Sequence, residues 1–146
     1  MTYSLKTYRC QLVCEGETQF AKAFADSADN AAAIMFEKLA NLPVEEVHLL
    51  YVNGQNRVTG HEMIARGGQH GCALTAKEIL RGPLMAGASA FIMAHNHPSG
   101  DPTPSREDIA ITRTVKKLSE ELGIPLLDHL VVCPESRRYE SILEVL

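Results

Sequence analysis

The chain has 146 residues, 45% of them hydrophobic and 22% charged, with a formal net charge of -4. That length suits one domain with a real core, and the composition is that of an ordinary globular protein. The negative balance argues against binding nucleic acid by bulk electrostatics and leaves only local patches for it.

The N-terminal stretch MTYSLKTYRCQLVCEGE lacks the apolar region of a secretory signal. Tyr3 to Cys14 is rich in Thr, Tyr and Val, and Thr18 to Ala25 is positioned to pair back on it as a hairpin. Ser27 offers an N-cap for a helix to about Ala40, with Ala31, Met35 and Leu39 on one face and Pro43 as its stop. Residues 1–43 carry no pattern that ties them to chemistry. From Glu46 to Val52 the chain reads as a strand, followed by the turn Asn53-Gly54-Gln55-Asn56 and an antiparallel mate, Arg57 to Ile64. Glycines 67, 68 and 71 mark a loop. Thr75 and Glu78 form a capping box for a helix to about Ala86, and Pro83 should kink or restart that helix, since interior proline costs about 3 kcal/mol.

Ala88 to Ala94 is a short apolar run of buried-strand type, and the run Leu84 to Ala94 is too short to span a bilayer. A helix follows from Ser105 to Leu122, closed by Gly123 with Pro125 beyond. Leu126 to Cys133 is another apolar strand, and Tyr139 to Leu146 a short last element. Strands and helices alternate after Val44, which predicts an α/β fold: a three-layer mixed β-sheet flanked by helices, in a single domain spanning 1–146. Cysteines 10, 14, 72 and 133 form no C-x-x-C unit, so a structural zinc ribbon is not expected and reduced, mostly buried thiols are. A cytoplasmic protein without membrane attachment is the simplest expectation.

The chemistry is concentrated in FIMAHNHPSGDPTPSRED, from Phe91 to Asp108. Side chains at i and i+2 of an extended segment share a face, so His95 and His97 can aim at one point while Asn96 faces away. Pro98, Gly100, Pro102 and Pro104 favour a constrained turn, after which Ser105 is a natural N-cap. Ile111, Val115, Leu118 and Leu122 recur as a buried helical stripe, and Asp108 lies three residues before Ile111 on the same side. An inward carboxylate needs a partner. Two imidazoles and one carboxylate suit a catalytic zinc site with a position left open for water. The plainer alternative is a Ser105/Asp108 capping box beside two histidines in a polar turn. Hydrolysis would also need a proton acceptor. Spacing alone leaves Glu45, Glu46, Glu62, Glu78 and Asp101 open.

His95-x-His97-Pro98 followed by Ser105-x-x-Asp108 resembles the JAMM motif of MPN-type zinc metallopeptidases. The wording HNHPSGDPTPS, with LGIPLLDHLVV at 122–132, is similar to the bacterial RadC family, over roughly residues 44–141. The resemblance implies a JAMM/MPN-like fold and Zn2+ held by His95, His97 and Asp108. It also implies Glu46 as general acid/base, Ser105 as a hydroxyl that stabilises the oxyanion, and a peptide or protein substrate. Asp128 and His129 match the family's LLDH wording, and His129 reads as a supporting residue rather than a ligand. His48, His61 and His70 have no assigned role. Asn96 stands where the best-known eukaryotic JAMM enzymes carry Ser or Thr, a difference that bears on substrate more than on metal.

Two rival functions accompany this reading. The RadC name is associated with DNA repair, and Arg106, Arg113, Lys116 and Lys117 make one helix face locally basic. Glu107, Glu120 and Glu121 dilute that face, so nucleic acid is not the favoured partner. The other rival is a metal-bound interaction module that keeps the ligands but lacks a working base.

Overall fold

The computed structural model describes residues 1–67 and 74–146, so Gly68, His70, Gly71 and Cys72 lie outside the described residues. Five strands, β1 (Glu46–Val52), β2 (Val58–Arg66), β3 (Ala90–Asn96), β4 (Leu126–Cys133) and β5 (Arg138–Ser141), form one sheet in the order β2-β1-β3-β4-β5. Every residue of β1 and β3 is buried. Strands of that kind need cover on both faces, which puts them inside the sheet. β3 and β4 run parallel and the other neighbours antiparallel.

The cover is three helices: α1 (Ala28–Lys38), α2 (Ala76–Ala86) and α3 (Arg106–Glu121). Ala31, Ala32, Ile34, Met35 and Phe36 of α1 pack with Leu50, Val52, Ile92, Ala94, Leu130 and Val132 on one sheet face. Ile79 and Leu80 of α2 and Val115 of α3 pack with Val47, Leu49, Tyr51, Phe91 and Met93 on the other. The result is the expected three-layer mixed α/β arrangement.

Local rules explain most element ends. Ser27 caps α1 by accepting the Asn30 N–H at 3.1 Å. Gly123 (φ +73°) closes α3, its N–H donating to Glu120 O and that of Ile124 to Ser119 O. This is the paired bond pattern that satisfies the last carbonyls of a helix. α2 continues through Pro83 as one helix without restarting, and Gly87 (φ +60°) ends it. A Cβ on Gly82 would collide with Tyr51 and Glu62, so glycine lets α2 approach the sheet.

Three expectations are corrected. No strand forms in residues 1–23, so the N-terminal hairpin is absent. Tyr3, Leu5, Tyr8 and Val13 are all more than 60% exposed, with no apolar face to bury against. Cys10 and Cys14 on that segment are exposed, and only Cys133 of the described cysteines is buried. On α3 the buried residues are Thr112, Val115 and Ser119, whereas Leu118 and Leu122 are 37% and 49% exposed. The inward stripe is therefore Asp108, Thr112, Val115 and Ser119. Its polar members are satisfied inside: Ser119 Oγ donates to Lys116 O at 2.9 Å and accepts from Leu126 N at 3.0 Å.

This rotation of α3 is testable by denaturant unfolding. Val115→Ala should cost about 2 kcal/mol through lost burial and a residual cavity. Leu122→Ala should stay within about 0.5 kcal/mol. The reverse order would restore the expected apolar stripe.

Candidate metal centre

The site forms beyond the carboxyl end of β3, a usual place for ligands in α/β sheets. The β3–β4 ladder runs on past Asn96, with His97 N–H donating to Val132 O at 3.1 Å, so His95 and His97 remain on one side. The chain then turns at Gly100 (φ +85°), whose N–H bonds His97 O at 3.1 Å. Asp101 braces the turn by accepting from Thr103 N at 3.0 Å and Thr103 Oγ1 at 2.7 Å.

At the start of α3 the capping box and the inward carboxylate are the same feature. Asp108 Oδ2 accepts the Ser105 N–H at 2.8 Å and Ser105 Oγ accepts the Asp108 N–H at 3.0 Å. The same Oδ2 lies 3.3 Å from His95 Nε2 and 3.6 Å from His97 Nε2. The cap thus aims the carboxylate.

Hydrogen-bond direction fixes which ring nitrogens are bare. A carbonyl only accepts, so His97 Nδ1, 2.8 Å from Asp101 O, carries a proton, and in the neutral ring Nε2 is then a lone pair. Thr112 Oγ1 donates to Asp108 O at 2.5 Å and therefore accepts from His129 Nδ1 at 2.6 Å. His129 Nε2 must then accept from His95 Nδ1 at 2.8 Å, which in the neutral ring leaves Nε2 of His95 as the lone pair. Burial drives the His129 ring well below the ordinary imidazole pKa, and the neighbouring His95 adds to the effect, so His129 is neutral as this chain of bonds requires.

Two bare nitrogens and a carboxylate oxygen consequently converge, with His95 Nε2 and His97 Nε2 3.1 Å apart. These three side chains are a group that could hold a metal ion. Tetrahedral zinc with bonds of about 2.0–2.2 Å spaces its ligand atoms roughly 3.3–3.5 Å apart, close to the distances here. The electrostatics agree. Burial would raise the Asp108 pKa, but the His95 and His97 rings hold it well below the usual carboxylate range. The bond to Asp108 raises His97 despite its burial. A proton on His97 answers one of these contacts, whereas a metal cation at the centre answers all three.

Glu46 does not join this group. Val47 pairs with His95 across the sheet, so the strand pleat turns Glu46 to the α1 face. There Glu46 Oε2 lies 2.7 Å from His48 Nε2, and Oε1 takes Arg66 Nε at 2.8 Å and Arg66 Nη2 at 2.5 Å. Burial works to raise its pKa, but the His48 and Arg66 bonds outweigh that and hold it below the ordinary value. His48 in turn bonds His61 at 2.7 Å, and burial takes His61 down to about 4. Glu46, the expected general acid/base, is thus held by His48 and Arg66 on the face of the pleat away from His95. Glu45 lies on the His95 side, partly buried, and its negative charge helps to raise His97.

The other carboxylates have separate tasks. Glu62 bonds Tyr51, Glu78 caps α2 through Thr75, and Asp101 braces its turn. Ser105 is exposed at the rim, and its hydroxyl accepts from Asp108 N, so its hydrogen remains able to donate. Thr112 was missed in the sequence because its support of His129 needs the packing of α3 on β4. The polar residues at 108, 112 and 119 on one helical face were the available signal.

A family profile described as RadC-like JAB domain matches residues 25–144. The chain is 47% identical over 95 residues to a UPF0758 protein of Carboxydothermus hydrogenoformans, covering 65% of this chain and 42% of that one. It is 34% identical over 134 residues to a UPF0758 protein of Staphylococcus haemolyticus, covering 88% and 58%. A UPF0758 protein of Methanococcoides burtonii is 34% identical over 118 residues, covering 81% and 51%. The chain spans about half the length of these relatives.

If His129 sets the His95 tautomer, His129→Ala should weaken metal binding roughly 10- to 100-fold in chelator competition. Thr112→Val, which removes only the hydroxyl, should weaken it in the same direction by less. Unchanged affinity in both would mean that the chain of bonds does not prepare the site.

Proposed function

The chain belongs to the RadC-like JAB domain family, and from that membership and its site we propose that it is a zinc-dependent hydrolase of peptide or isopeptide bonds. The observation that carries the reading is the convergence of His95 Nε2, His97 Nε2 and Asp108 Oδ2 at 3.1–3.6 Å, with the Nδ1 proton of each ring engaged away from the site. These three atoms would hold the ion, which supplies a Lewis acid and a water acidic enough to ionise at a pKa of about 7.

The remaining roles belong to the chain. Glu45, on the metal side of the pleat, takes the attacking water's proton on its carboxylate and passes it to the departing amine. The Ser105 hydroxyl, its oxygen engaged by the helix cap, turns its hydrogen to the oxyanion developing on the substrate carbonyl. Asp108 stays ionised throughout, held so by two rings and an amide. Nucleic acid is not proposed as substrate: on the basic face of α3, Lys116 is paired with Glu120 at 2.5 Å.

The test is Glu45→Gln in the metal-loaded chain, assayed on a panel of peptides and lysine-linked isopeptides. Metal content should be unchanged while hydrolysis falls on the order of 100-fold or more. Glu46→Gln should keep the wild-type catalytic rate. Undiminished hydrolysis in Glu45→Gln, or loss of its metal, would contradict the assignment.

A further inference from the structure

Asn96 stands between the two histidines in sequence, yet its side chain leaves on the other face of the sheet and is 2% exposed. Its Oδ1 accepts the Glu46 N–H at 2.8 Å, and its Nδ2 donates to Val44 O at 3.0 Å. The partners fix the orientation of the amide, because an N–H only donates and a carbonyl only accepts. These two bonds bracket Glu45, one on each side of it in the chain.

The bracket falls where backbone pairing ends. The β1–β3 ladder stops at Val47 opposite His95, so residues 44–46 have no strand partner from β3. Gly67 N–H bonds Glu45 O at 2.8 Å from the β2 side. Asn96 supplies the missing side: its carboxamide stands in for a peptide group and continues the sheet by one more pair of bonds. A serine or threonine hydroxyl has a single polar atom and cannot span two groups so spaced. An aspartate keeps the acceptor and loses the donor.

We propose that Asn96 is a positioning residue that sets the Glu45 carboxylate against the metal centre, so that one tripeptide supplies two ligands on one face and the support of the proton acceptor on the other. The inference rests on the reading of Glu45 as that acceptor. A misplacement of about 1 Å in a reacting group costs on the order of 100-fold in rate, so the effect of losing the bracket should appear in kcat.

The test compares wild type, Asn96→Ala, Asn96→Asp and Glu45→Gln as metal-loaded full chains. Metal content, kcat and KM on the same panel, and amide hydrogen exchange at Glu46 are measured for each. Asn96→Ala should keep its metal, exchange the Glu46 amide roughly tenfold faster with Leu49 and Leu50 unchanged, and lose kcat on the order of 100-fold with little change in KM. Asn96→Asp, which keeps the acceptor, should recover part of both. Unchanged exchange at Glu46, faster exchange throughout β1, or wild-type kcat beside faster exchange would each overturn the positioning role alone. Wild type as inactive as Glu45→Gln on every substrate would overturn the hydrolase reading and this role with it.

Discussion

The site depends on a run of hydrogen bonds with one permitted direction. It begins at the Asp108 carbonyl, which can only accept, and passes through Thr112 and His129 to end at His95 Nδ1. Each donor is spent on the next acceptor, so the proton of His95 is fixed on the nitrogen away from the site. The Asp101 carbonyl does the same for His97. Ring orientation and tautomer are therefore set before any cation arrives, and binding need not reorganise them. The run starts and ends on prospective ligands, which ties the first turn of α3 to the carboxyl end of β3.

A second constraint is the pleat of β1. Alternation sorts its side chains between two layers, and the neighbours Glu45 and Glu46 fall on opposite sides of that division. On the α1 face Glu46 neutralises Arg66 and holds His48 beside the apolar cluster that α1 covers. Such a carboxylate answers the cost of burying charge with bonds from two partners. On the metal face Glu45 stands at the edge, partly buried. The same alternation separates His95 and His97 from Asn96, so the division between candidate metal ligands and backbone support runs through three consecutive residues.

Much of this was legible in the sequence because it depends on local rules. The period of two brought His95 and His97 together, Ser105 and Asp108 announced a helix start, and the alternation of elements gave the three layers. The unread parts depend on contacts between distant segments. The inward face of α3 differs from the expected stripe because Leu118 and Leu122 are apolar, whereas the packed face uses Thr112 and Ser119, whose hydroxyls are shared between carbonyls of α3 and groups of β4. Which of the adjacent residues Glu45 and Glu46 faces His95 is not legible without the pairing of Val47 with His95. The first 23 residues have strand-forming composition but no partner strand to complete a hairpin.

The central claim is that His95, His97 and Asp108 form one metal site with both imidazoles bound through Nε2. X-ray absorption spectroscopy at the zinc edge of the purified chain tests it most directly. A site of this composition should show about four nitrogen or oxygen ligands at roughly 2.0–2.2 Å, outer-shell scattering from two imidazoles and no sulfur. In His97→Ala the metal should be lost. A sulfur ligand at about 2.3 Å, which would point to Cys133 or another thiol, or the same spectrum in His97→Ala, would contradict it.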